Sequence, residues 1–295
     1  MSLMGNNLQI CRQTREIAIT ALKNTLENLL TKDKISEAQF RDSWLKELRK
    51  NEQIFPNGWY VPPPHGIITL FATDKNPTRV LYPSMRPQDT WPRDDIYLDK
   101  VNGLIALYAS PVDRQTGIIG DTEVMLYLGK NKEIQSSQKI CYQIIKDIFD
   151  FAKVGQRLSK ITNYASKLFG KNNLTSNVYS VSDPHNLINI GHTIPASYEN
   201  WHPREKAILK NGQKNWETVC NMISKKRVFL NESEDFIIKA PMALTLEPRV
   251  KPKNKPDLPC IWIHSIVFFK EDGKKEIFHG FDEIYKMCGM DYLLN

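Results

Sequence analysis

The sequence predicts an α+β fold built twice over. A pair of helices with apolar residues at helical spacing, split by a short break and followed by strands, occupies residues 8–50. The same layout returns at 136–170. Short apolar strands joined by a tight turn near 104–128 add an antiparallel hairpin. The two halves, about 8–130 and 136–290, repeat with a period of roughly 125 residues, far longer than a solenoid unit. The chain is therefore expected to form a single pseudo-two-fold domain over 1–295, with a site where the halves meet.

Each element has a local reason. Ile10, Ile17, Ala18, Ala21, Leu22, Leu26 and Leu29 define one helix face, and Lys32-Asp33-Lys34 breaks the helix. Ser36 is placed to cap a second helix carrying Phe40, Trp44, Leu45 and Leu48. The rigid Pro62-Pro63-Pro64-His65-Gly66 loop feeds a buried strand over 67–72, and His65 reads as a loop residue. Residues 73–103 are loop-rich, and Tyr82, Arg86, Trp91 and Arg93 are candidates to line a cleft there.

The strand 104–109 turns at 110–116 into Gly117-Ile118-Ile119-Gly120-Asp121 and a returning strand with Val124, Leu126 and Leu128. In the second half, Ile140, Ile144, Ile145 and Ile148 form one helix face, and Leu158, Ile161, Ala165 and Leu168 another. Gly170 is the expected stop of the second helix. The stretch 184–195 alternates as a strand, with Ile188 and Ile190 on one face and His185 and His192 seven residues apart. Residues 197–240 are polar and aromatic-rich. Glu247 ends an apolar strand, His264 interrupts another, and 278–294 closes the chain as a helix and tail.

Composition excludes several classes. Hydrophobic content of 41% and charged content of 25% are those of a globular chain with a substantial core. No apolar run reaches the ~20 residues that span a bilayer, and the N-terminus lacks an apolar signal region, so no membrane role is expected. Five scattered cysteines without a CxxC pair argue against a disulfide framework or zinc knuckle and fit a reducing cytoplasm. The net charge of +7 is spread out. Its small clusters, Lys225-Lys226-Arg227 and 251–255, read as solvated surface, and no nucleic-acid module is present.

Asp121, His185, Glu247 and His264 each interrupt or end an apolar strand. Burying such groups unpaired costs at least about 2 kcal/mol each, so they are expected to pair or to coordinate. Two carboxylates and two imidazoles suit a borderline divalent ion: Mn, Fe, Co or Zn.

Order and spacing here resemble the pita-bread metallopeptidases, the family of methionine aminopeptidases, prolidases, aminopeptidase P and creatinase. Gly117-Ile118-Ile119-Gly120-Asp121 matches the family's second metal-binding Asp. His185, His192 and Pro195 reproduce its His…His and following Pro intervals. Leu246-Glu247-Pro248 matches its Ile-Glu-Pro strand end, and Ile263-His264-Ser265 stands where its last Glu does. The resemblance covers nearly the whole chain. It implies the pita-bread fold, with a duplicated helix pair and a curved antiparallel sheet.

The departures are as informative. The first metal-binding Asp falls on Ser110 by spacing or Tyr108 by strand, and Asp113 is out of register. The last Glu is His264, and a further family histidine falls near Leu81 or Tyr82. Asn186 and Ile188 replace the glycines of His-Gly-x-Gly. Carried over residue by residue, the resemblance leaves at most one metal, on Asp121, His185, Glu247 and His264. His192 then positions substrate or stabilises a tetrahedral intermediate. His185 matches the histidine that creatinase-like members use as a base. A second alignment makes His192 the ligand, with Glu199 as its partner seven residues on.

Two functions stay open. One is an Xaa-Pro dipeptidase- or aminopeptidase-like hydrolase of a small peptide or amide. The other is a pseudoenzyme that binds a peptide or protein in the old cleft. A homodimer is compatible with both.

Overall fold

In a computed structural model describing residues 3–61, 63–81, 91–176, 183–185, 187–255 and 257–294, the expected helix pairs are present. The first is α1 (Leu3–Leu29) and α2 (Glu37–Leu48); the second is α3 (Lys132–Phe151) and α4 (Leu158–Lys171). Ser36 closes a capping box on α2, its hydroxyl accepting from Gln39 N while the Gln39 side chain accepts from Ser36 N. The breaks between paired helices are built alike. Ser36 bridges Tyr97 just before α2, and Arg157 bridges Ile237 just before α4.

The strands are β1 (Ile67–Thr73), β2 (Gly103–Ala109) and β3 (Thr122–Tyr127) in the first half. The second half holds β4 (Leu174–Ser176), β5 (Asn189–His192), β6 (Phe229–Asn231), β7 (Met242–Leu246), β8 (Arg249–Pro252), β9 (Ile261–Trp262), β10 (Ser265–Phe269) and β11 (Lys275–Phe278). All pairings are antiparallel, in the orders β1-β2-β3, β11-β10-β7, β4-β8-β9 and β5-β6. Single bridges, Val124–Ile263 and Thr193–Leu244, join these pieces.

Strand β2 explains why the first half reads as an unbroken apolar run. Leu104, Ala106 and Tyr108 face the core under α3 and α4, whereas Ile105, Leu107 and Ala109 face the core under α1 and α2. A strand alternates sides every residue, so covering both sheet faces with helices demands apolar residues at every position.

The structure revises several boundaries. Helix α3 starts at Lys132, where Asn131 caps it by accepting from Glu133 N. Helix α4 runs through Gly170, and Asn173 takes the left-handed conformation instead. Two helices not anticipated, α5 (Pro203–Lys210) and α6 (Trp216–Lys226), occupy the aromatic-rich region. His202 caps α5, with Pro203 at the first helical position. The closing helix is α7 (Asp282–Met287), after β11. The strand expected over 184–195 contracts to β5, which leaves Ile188 half-exposed while Ile190 is buried. Of the proposed cleft rim, Tyr82 and Arg86 lie outside the described residues. Arg93 donates its backbone N–H to the buried Glu37 carboxylate. All five cysteines are free and buried. No helix among the described residues is long and apolar enough to cross a membrane.

Candidate functional site

The hairpin sets the first carboxylate. Ala109 pairs with Thr122, so Asp121 stands at the mouth of β3, almost fully buried. Gly120 beside it is needed by packing: a Cβ there would come within 2.4 Å of Arg15 N on α1. This close approach brings α1 onto the hairpin and delivers Arg15 to the site.

Strand β5 sets the histidine. Asn189 pairs with Asn231 but His192 with Phe229, which leaves one extra residue on β5, a bulge. Gly191 lies in that bulge at φ 148°, and a Cβ on it would stand 2.1 Å from Thr245 O on β7. The neighbouring His192 exchanges bonds with Thr245 Oγ1, donating its N–H at 2.9 Å and accepting at 3.3 Å through its carbonyl. Gly191→Ala is expected to cost about 3 kcal/mol in urea unfolding, because backbone strain and overlap with β7 add. The equivalent change at Gly155, with open space around it, is the comparison.

Asp121, His192 and Glu247 converge. His192 Nε2 is 3.3 Å from Asp121 Oδ2 and 4.0 Å from Glu247 Oε1. The other ring nitrogen, Nδ1, lies 2.9 Å from the Thr193 carbonyl. A carbonyl only accepts, so Nδ1 carries a proton and Nε2 is the face turned to the carboxylates. Trp59 Nε1 donates to Asp121 Oδ1 at 2.8 Å, and the Trp59 and Phe229 rings flank the imidazole edge-on.

His185 stands elsewhere. Its side chain is 47% exposed against 3% for His192, and its Nδ1 is 3.5 Å from Asp183. The spacing read from the sequence favours His185 as the ligand, and His192 enters only on the second alignment, with Glu199 as its partner. The bulge and the Thr245 contact bring His192 to Asp121 and Glu247.

His264 is fully buried, shares Arg15 with the Asp121 backbone, and has its lone pair taken up by that arginine. Its Nδ1 is 2.8 Å from Arg15 Nη1, which only donates. Nδ1 is therefore the acceptor and Nε2 bears the proton, with no hydrogen-bond partner among the described residues. Burial, followed by the Arg15 charge, holds this imidazole well below its usual pKa. Arg15 also donates to the Asp121 carbonyl, to His264 O at 2.8 Å and to His279 O at 3.0 Å. Burial lowers the Arg15 guanidinium only to about 10, so it stays charged at neutral pH.

The remaining neighbours are also pairing groups. Arg249 grips Glu123 through two bonds, at 2.8 and 2.5 Å, and lies 3.6 Å from Glu247 Oε2. Arg227 is buried between the faces of Trp59 (4.3 Å) and Phe229 (4.8 Å), which corrects the reading of Lys225-Lys226-Arg227 as wholly solvated. Tyr108, one of the two positions aligned with the missing Asp, is buried, and burial followed by the Asp121 charge raises its phenol well above the usual value. The other, Ser110, accepts from Tyr60 N and donates to Gly66 O. Asp113 is spent on its own turn, accepting from Gln115 N and Thr116 N.

The four residues that the resemblance names as ligands do not form one donor set here. Ligation needs free lone pairs from at least three convergent groups. Here His264 offers a protonated nitrogen and His185 is absent from the cluster, while Asp121 Oδ1 is held by Trp59 and Asp121 Oδ2 has no hydrogen-bond partner among the described residues. Among the described residues no group of three or more His, Cys, Asp or Glu is arranged to hold a metal. Sequence reasoning did not single out Arg15, Arg227 or Arg249. For Arg15 a signal existed: it falls on the stripe Cys11, Arg15, Ala18, Leu22, the buried face of α1.

No family model matches the sequence, and no curated protein matches it. Solved structures do. Methionine aminopeptidase from Rickettsia prowazekii is similar at a TM-score of 0.60 and 14% identity, over 93% of this chain and 97% of that one. X-Pro aminopeptidase from Thermotoga maritima gives 0.59 at 13% identity, over 92% and 60%. The prolidase from Pyrococcus horikoshii gives 0.55 at 13%, over 92% and 61%. The chain thus spans about three fifths of the X-Pro aminopeptidase and prolidase chains and nearly all of the methionine aminopeptidase. Its fold is the pita-bread fold of these peptidases.

Proposed function

We propose that this chain is a pita-bread domain that holds a peptide or amide group in its cleft without acting as a metallopeptidase. The observation that carries this reading is the Arg15–His264 contact, which spends the imidazole lone pair where the resemblance requires a metal-binding carboxylate. The peptide class comes from the similar structures, whose names are those of an X-Pro aminopeptidase, a prolidase and a methionine aminopeptidase.

The reading predicts that millimolar Mn, Fe, Co or Zn produces no saturable rise in melting temperature. A ligand restricted to the folded state at a hundredfold excess over its Kd would add about 2.7 kcal/mol, an unmistakable shift. Xaa-Pro peptides are expected to bind by calorimetry and to be recovered uncut. One equivalent of tightly held metal together with peptide cleavage would return the hydrolase reading.

One observation favours a second reading, a metal-free amide hydrolase. His192 is fixed through Nδ1 to a carbonyl and presents Nε2 between two carboxylates, the arrangement of an oriented general base. In that reading His192 takes a proton from an attacking water. Cleavage would survive chelator treatment and vanish in His192→Gln.

A further inference from the structure

We infer that Arg249 stands in the place of a divalent ion, as the guanidinium that directly pairs the carboxylates of a buried cluster which also holds Arg15 and Arg227. The inference deepens the metal-independent reading above and rests on it. Three carboxylates, Asp121, Glu123 and Glu247, and three guanidinium groups, Arg15, Arg227 and Arg249, are each at most 9% exposed. Their formal charges cancel with nothing added.

The direct pairing in this cluster falls to Arg249. Glu247 turns Oε2 to Arg249 and Oε1 to His192. Glu123 takes both of its bonds from the Arg249 fork. Asp121 has its backbone carbonyl bound by Arg15 and its Oδ1 held by Trp59, whose ring face carries Arg227, while its Oδ2 has no hydrogen-bond partner among the described residues. A buried carboxylate with no cation is costly, and a planar fork of donors meets carboxylates in a way an ammonium cannot. The three arginines come from α1, the α6–β6 junction and β8, so the cluster ties both halves together as a shared ion would.

The test is a double-mutant cycle with a metal arm. Arg249→Met leaves Glu123 and Glu247 uncompensated, and its melting temperature is expected to fall by about 10 °C. Adding Glu123→Gln removes the surplus charge and should regain at least half of that fall. With millimolar MnCl2 or CoCl2, the single variant should gain several degrees saturably, while wild type and the double variant gain none. A double variant no more stable or soluble than the single one would overturn the inference. So would a single variant that shows no response to metal, since Arg249 would then not occupy an ion's role. Saturable metal stabilisation of the wild type is the distinct outcome that removes the functional reading itself.

Discussion

Arg15→Met is expected to lower the unfolding free energy by about 4 kcal/mol. Arg15 is wholly buried and bonds three backbone carbonyls, those of Asp121, His264 and His279, as well as the His264 ring. Methionine fills much of the same volume, so the loss comes from acceptors left without donors, at about 1–3 kcal/mol for each that water cannot reach. Arg15→Lys should recover little, because an ammonium presents its donors from one point and cannot span the carbonyls of His264 just before β10, His279 just after β11 and Asp121 on the hairpin. Arg12→Met, one turn earlier, is the control. Its partner Glu276 is 38% exposed, and such pairs contribute about 0–1 kcal/mol. Urea unfolding of the three variants measures the difference. Equal effects at positions 12 and 15 would mean that the cluster contributes no more than a surface ion pair.

Arg15 also marks how far the sequence could be read. Elements that depend on local spacing were legible: both helix pairs, the Ser36 cap, the hairpin with Asp121 on its returning arm, and Glu247 at the end of β7. These follow from periodicity and caps, which act over a few residues. The interval favours His185 over His192, and spacing alone does not show which of the two reaches Asp121. That turns on a bulge and on Thr245, fifty-three residues away. The role of His264 was hidden for a similar reason. A histidine inside an apolar strand promises a ligand until its partner is known, and the partner is an arginine 249 residues earlier. Arg227 was masked by the two lysines before it, which are more exposed. Charge runs are usually solvated, and only stacking between Trp59 and Phe229 overrides that expectation.

The second large effect is acid sensitivity with a defined sign. His264 and His279 are both held below the ordinary 6.5, His279 at about 3, in each case mainly by burial and then by the Arg15 charge. Between about 3 and 6.5 the unfolded chain binds a proton at His279 that the folded chain refuses, and His264 shifts in the same sense. The unfolded state therefore gains protons as pH falls, and stability must fall with it. One pKa unit is worth about 1.4 kcal/mol, so His279 alone should cost about 2 kcal/mol between pH 7 and pH 5, and His264 acts in the same direction.

Glu123 acts in the opposite direction. Burial raises its carboxyl, and a proton gained by the folded state favours folding in acid, although the bidentate bond from Arg249 resists that protonation. A variant isolates the histidine part. His279→Gln can keep the contact to Ser265 Oγ without titrating, and should lower the slope of unfolding free energy between pH 5 and 6.5 without abolishing it. An unchanged slope would place the proton uptake elsewhere. A slope that vanished would make His279 its only source and leave His264 protonated in the folded state, in contradiction to its bond from Arg15.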